Sequence, residues 1–103
     1  MQAFVDELDT TANGTTLSCG CAPAPTEFAE SFRAAVNRDP GAYATESYDL
    51  ATILLKGIDS GKVDRSSMME FVKSYDGAGL ARIYKWDVAG ELSSPPIWIY
   101  QVQ

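Results

Sequence analysis

Between Ala44 and Ser60 the apolar side chains fall on one side of a helix. Ala44, Ser47, Tyr48, Ala51, Leu54, Leu55 and Ile58 recur at i, i+3 and i+4 without a break. That spacing matches a helix of 3.6 residues per turn. Gly61 follows as a natural residue just past the C-terminus. A stripe of this length has to be buried against another element, so it constrains the fold more than any other segment.

The elements on either side offer few ways to cover it. Residues Ala3 to Leu8 read as the end of a helix, with Phe4, Val5 and Leu8 on one side. Asn13-Gly14 is a turn signal, and Thr15 to Cys19 is strand-like. A helix opens near Thr26, carries Phe28, Phe32, Ala35 and Val36 at helical spacing, and ends at Asn37-Arg38-Asp39-Pro40-Gly41. Asp64 caps a further helix from Arg65 to about Tyr75, with Met68, Phe71, Val72 and Tyr75 on its apolar face. Asp76 to Gly79 reads as a turn into a strand in which Leu80, Arg82, Tyr84 and Trp86 share one face. Asp87-x-x-Gly90 is a tight turn, and Ile97 to Val102 is a last strand. Pro95 and Pro96 stiffen the connector between them and remove two N–H donors.

The expected class is therefore α/β, with three helices, short strands and an antiparallel strand pair at the C-terminus. The length of 103 residues suits one domain. Phe4-Val5-Asp6 and their neighbours provide neither the basic nor the apolar region of a signal peptide. No apolar run approaches the length needed to span a bilayer.

The chemistry is limited by what is missing. There is no histidine, which removes the commonest general base and metal ligand. Ser-His and Cys-His catalytic arrangements are excluded within the chain. The net charge is −6 and the eight basic residues are scattered, which argues against nucleic acid and against charge-driven membrane binding.

Cys19-Gly20-Cys21 is the most conspicuous local motif. Its two cysteines fall on the same face of an extended strand. They read first as buried thiols or small packing residues, with a geometrically demanding disulfide and a redox or metal role as alternatives. Glu46 and Asp49 share a helix face at i, i+3, as a catalytic carboxylate pair would, but a solvated face near a helix N-terminus is the expected reading. Tyr43 stands just ahead of the long helix, where its ring reads by pattern alone as packing.

Four segments in order carry a resemblance. They are Tyr43-Ala44-x-x-Ser47-Tyr48-Asp49-Leu50-Ala51, the helix break Gly61–Asp64, Gly79-x-x-Arg82-Ile83-x-x-Trp86-Asp87-x-x-Gly90, and the terminal strand Ile97–Val102. Together they resemble the C-terminal part of periplasmic leucine/isoleucine/valine-type binding proteins over most of residues 12 to 103. Thr11-Ala12-Asn13-Gly14 is similar to the family's strand entry, with Asn13 where an acid is usual.

The resemblance implies a fragment of the two-lobe type I periplasmic-binding-protein fold. Residues 1–18 would belong to the second lobe and 19–22 to a hinge crossing. Residues 23–92 would lie in the first lobe, 93–99 would form the last crossing, and 100–103 would return to the second lobe. Cys19, Gly20 and Cys21 would be hinge residues, with Gly20 permitting backbone adjustment. Tyr43 would pack on the apolar part of a bound amino acid or similar solute. The groups that hold the solute's charged ends would lie upstream of Met1.

The resemblance further implies a non-enzymatic, extracytoplasmic protein that needs no cofactor or metal and serves an ABC transporter permease. Without the sheets those lobes contribute, the stripe from Tyr48 to Ile58 would face water, at a cost of several kcal/mol at about 25 cal/mol per Å². Association with a complementary fragment or with further copies is then expected. The alternative function is a self-contained interaction or oligomerisation module that uses the stripe as its interface.

Overall fold

Local signals mark the end of one helix and the start of the next. In the computed structural model, which describes residues 2–103, the elements run α1 (Gln2–Leu8), a 3₁₀ turn (Asp9–Ala12), β1 (Thr16–Cys19), α2 (Thr26–Val36), α3 (Ala44–Asp59), α4 (Arg65–Ser74), β2 (Asp76–Ala78), β3 (Ile83–Lys85) and β4 (Trp98–Gln101). Asp64 caps α4 as expected, its carboxylate accepting from the Ser67 backbone N–H at 2.8 Å. That bond holds the Asp64 carboxyl below the usual range. Gly61, at φ +89°, ends α3 while the Lys62 N–H donates to the Gly57 carbonyl at 2.9 Å.

The class is α/β with two small antiparallel sheets, and two parts of the expected architecture need correction. The described residues form four α-helices rather than three, because Gln2–Leu8 closes helical turns of its own. The last two strands do not pair with each other. β3 pairs with β2, with Tyr84 opposite Gly77. β4 pairs with β1, with Trp98 opposite Cys19 and Tyr100 opposite Leu17. Asp76–Ala78 is therefore a strand and not a turn; the reversal comes at residues 79–82, where the Gly79 N–H donates to the Arg82 carbonyl at 2.8 Å.

The Asp87-x-x-Gly90 turn forms as read. Gly90 takes φ +86°, and Asp87 Oδ1 accepts from the Ala89 and Glu91 N–H groups at 2.9 and 3.0 Å. A short ladder follows it, with Trp86 bridged to Leu92 and the Ser93 N–H donating to the Lys85 carbonyl. Pro95 and Pro96 then let the chain leave this hairpin, so β4 runs to β1 instead.

α3 is oriented with its polar side inward. Thr45, Glu46, Asp49, Ile53 and Gly57 are its buried residues. The stripe that periodicity marks for burial is largely outside: Tyr48, Leu54, Leu55 and Ile58 are exposed, Leu55 to 64%. The described hydrophobic core is correspondingly thin, consisting of Ala12, Cys21, Ile53 and Tyr84. The Cα radius of gyration is 16.7 Å, against about 13 Å for a compact domain of 100 residues.

α4 packs on α3 through Gly57. A Cβ there would stand 2.6 Å from Met68 Sδ and 3.0 Å from a Phe71 ring carbon. The glycine lets the two helices approach closely, with the Phe71 and Tyr75 rings tilted against each other at 5.9 Å between ring centres. Gly57→Val overfills this interface, and the expected loss is about 1–3 kcal/mol. Urea unfolding followed by far-UV circular dichroism reads it as a lower midpoint with an unchanged slope.

Candidate functional site

The inward face of α3 carries two carboxylates one turn apart. Glu46 is 7% exposed and Asp49 is 4% exposed. The expected solvated face is overturned, because each carboxylate accepts hydrogen bonds from distant segments, with Glu46 Oε2 and Arg82 Nε left without a hydrogen-bond partner among the described residues. Asp49 accepts from the Leu80 and Ala81 backbone N–H groups, both at 2.8 Å, and from the Tyr84 hydroxyl at 3.0 Å. Glu46 Oε1 accepts from the Ala22 backbone N–H at 2.5 Å and from Arg82 Nη2 at 2.9 Å. Taking these groups out of water is compensated only by such bonds.

This geometry explains the Gly79-x-x-Arg82 motif. A Cβ at Gly79 would lie 2.4 Å from Asp49 Oδ2, so only glycine lets the backbone fold around that carboxylate. The turn then aims Arg82 at Glu46. Arg82 also donates to the Gly20 carbonyl, and its guanidinium lies 5.3 Å from the centre of the Trp98 ring, a cation–π contact. Burial, and then the Asp49 carboxylate that accepts its proton, push the Tyr84 phenol far above its ordinary value.

The expected hinge residues gather at the same place. Cys19 and Cys21 form a disulfide, with their Cα atoms 5.1 Å apart, so the reading as two buried thiols gives way to the disulfide alternative. Cys21 is 4% exposed, and its carbonyl accepts from the Tyr100 hydroxyl at 2.7 Å. Burial, with Glu46 nearby, raises the Tyr100 phenol and keeps it a donor. Gly20 uses no left-handed φ. Gly20, Cys21 and Ala22 are thus each held by a different element, through Arg82, Tyr100 and Glu46.

Tyr43 stands beside them. It caps α3 at φ 63°, its carbonyl accepting from the Ser47 N–H at 2.9 Å. The residue is 52% exposed, and its hydroxyl lies 3.8 Å from Cys19 Sγ. Tyr43 and the Cys-Gly-Cys segment, far apart in sequence, are therefore neighbours in space. An open hollow of about 710 Å³ is lined by Cys21, Ala22, Pro23, Pro40, Ala42 and Tyr100, among others. Tyr43 is not part of that lining.

Sequence reasoning missed Arg82 as the partner of Glu46 and Tyr100 as the clamp on Cys21. The available signal was the pair of acids on the side of α3 opposite its apolar stripe, together with a lone arginine in a glycine turn. Among the described residues no group of three or more His, Cys, Asp or Glu side chains is arranged to hold a metal. No helix among them is long and apolar enough to cross a membrane. Compared with known protein families, curated proteins and solved structures, the chain shows no match.

Removing one member of the buried pair leaves the other charge uncompensated. Arg82→Met is expected to cost about 3–5 kcal/mol, and the double variant Glu46→Gln/Arg82→Met less than the two single changes added together. Denaturant unfolding of the three variants measures both.

Tyr84 gives a pH dependence with a definite sign. Its folded pKa is raised above the ordinary 10.0, so the unfolded state loses the proton first. Its contribution is complete below about pH 10 and is lost as the pH rises above that. Tyr84→Phe should therefore flatten the alkaline limb of a stability–pH profile.

Proposed function

We propose that the chain is the C-terminal part of an extracytoplasmic solute-binding protein of the leucine/isoleucine/valine type. Such a protein captures an amino acid or a similar small solute and delivers it to a membrane transporter. One observation carries the reading. The β1–β4 pair joins residues expected in the second lobe, Thr16 opposite Gln101 and Leu17 opposite Tyr100, and at its end the two expected lobe-to-lobe crossings touch, Cys19 opposite Trp98. Neighbouring crossings are what a two-lobe clamp requires, and nothing in local sequence demands this pairing.

Three further features support it. The exposed stripe on α3 is the face that a lobe's sheet would cover, and burial of each large side chain on it is worth about 1.5–3 kcal/mol. Tyr43 is half-exposed beside the crossing, where it would form one wall of a solute site. The disulfide suits an oxidising compartment outside the cytoplasm. In this reading the protein performs no catalysis. The polar groups that grip the solute belong to the upstream lobes, and no nucleic acid takes part.

The same exposed stripe favours a second reading, a self-contained module that associates through α3. Sedimentation at low micromolar concentration tests it: a folded, strictly monomeric chain removes the module reading, and with it the self-association expected of an isolated fragment.

Isothermal titration with branched-chain amino acids tests the first. The chain by itself is expected to bind none of them tightly, and the chain joined to the upstream lobes of its native gene is expected to bind a small solute. Tight binding by the chain alone overturns the assignment of the polar site to the missing lobes. A native gene without such lobes, or a joined protein that binds no amino acid or small organic solute, overturns the class.

A further inference from the structure

The segment from Cys19 to Ala22 is only four residues long, yet its backbone groups are claimed by three elements. Arg82 donates to the Gly20 carbonyl, Tyr100 donates to the Cys21 carbonyl at 2.7 Å, and the Ala22 N–H donates to Glu46 at 2.5 Å. The three partners come from the glycine turn, from β4 and from α3. The Cys19–Cys21 disulfide spans this segment. It closes a loop too short to remove much entropy from an unfolded chain, so its main effect is local. It holds the backbone in the shape that all three partners need.

We propose that the Cys19–Cys21 disulfide is a reducible clip that sets the rigidity of the junction between β1 and α2, and that dithiol reductants are the reagents it responds to. The two sulfurs differ in access: Cys21 is 4% exposed, whereas Cys19 is only partly covered. One thiolate of the dithiol attacks Cys19 Sγ. The protein S–S bond breaks, a mixed disulfide forms at Cys19, and Cys21 leaves as a thiolate and takes up a proton. The second thiol of the reagent then attacks the reagent's own sulfur in that mixed disulfide. Cys19 departs as a thiolate, and the reagent leaves as its disulfide. The protein gains two electrons and two protons, and the dithiol loses the same.

Two donors are in place for the departing Cys19 sulfur. The Cys21 backbone N–H lies 3.1 Å from Sγ and the Tyr43 hydroxyl 3.8 Å. Once the clip is open, the segment is held at Gly20, Cys21 and Ala22 by hydrogen bonds alone. The junction then fluctuates while the buried Glu46–Arg82 pair and the helices persist. The proposal concerns this chain's own residues and does not depend on the solute-binding reading.

Hydrogen–deuterium exchange of the full chain, oxidised and after dithiothreitol, tests it, with thiols counted by mass after alkylation. The expected result is the appearance of two thiols, amide exchange at residues 21 and 22 faster by about tenfold, unchanged far-UV circular dichroism, and full reversal on reoxidation. Cys19→Ser/Cys21→Ser should exchange at the reduced rate and ignore dithiothreitol. Exchange that changes by less than about twofold on reduction overturns the proposal. So does loss of helical signal on reduction, which would make the disulfide a general staple, and so does a chain that carries two free thiols without any reductant.

Discussion

The structure depends on two carboxylates held away from water on one side of α3. An ionised side chain in a protein interior is tolerated only when donors surround it, and donors that stay in place impose order on the segments that carry them. Asp49 gathers the backbone of Leu80 and Ala81 and the hydroxyl of Tyr84. Glu46 gathers Ala22 and Arg82, and Arg82 in turn reaches Gly20. One helical turn of α3 thereby fixes the glycine turn before β3 and the junction after β1.

Because that side of α3 faces inward, its apolar stripe faces outward. Helices usually bury their apolar face, so an exposed stripe of this size is the exception. The thin core and the long radius of gyration go with that exposed face. The α3–α4 contact at Gly57 and the rings of Phe71 and Tyr75 cover only part of the helix.

The junction between β1 and α2 is where these constraints meet the proposed function. A crossing between lobes has to transmit motion, and the amount it transmits depends on how firmly its backbone is held. Here the strand pair β1–β4, the Tyr100 clamp and the disulfide all act on the same few residues. Tyr43, with its ring beside Cys19, links that junction to the head of α3.

Local chemistry was legible in the sequence. The Asp64 cap, Gly61 past the end of α3, the Asp87-x-x-Gly90 turn and the extents of the three longer helices follow from side chains within a few residues of each other. The direction in which α3 faces was not legible, because periodicity identifies an apolar side but not whether the partner that covers it is in the chain. The burial of Glu46 and Asp49 depends on Arg82 and on the glycine turn, more than thirty residues away. Strand pairing escaped for the same reason: β4 joins β1 across nearly the whole chain, and only the tertiary fold decides between that partner and the nearer hairpin. The sequence by itself determined the helices, caps and turns, whose energies are local. The tertiary structure decided which face is inside and which strands meet, since those energies come from groups the chain brings together only by folding.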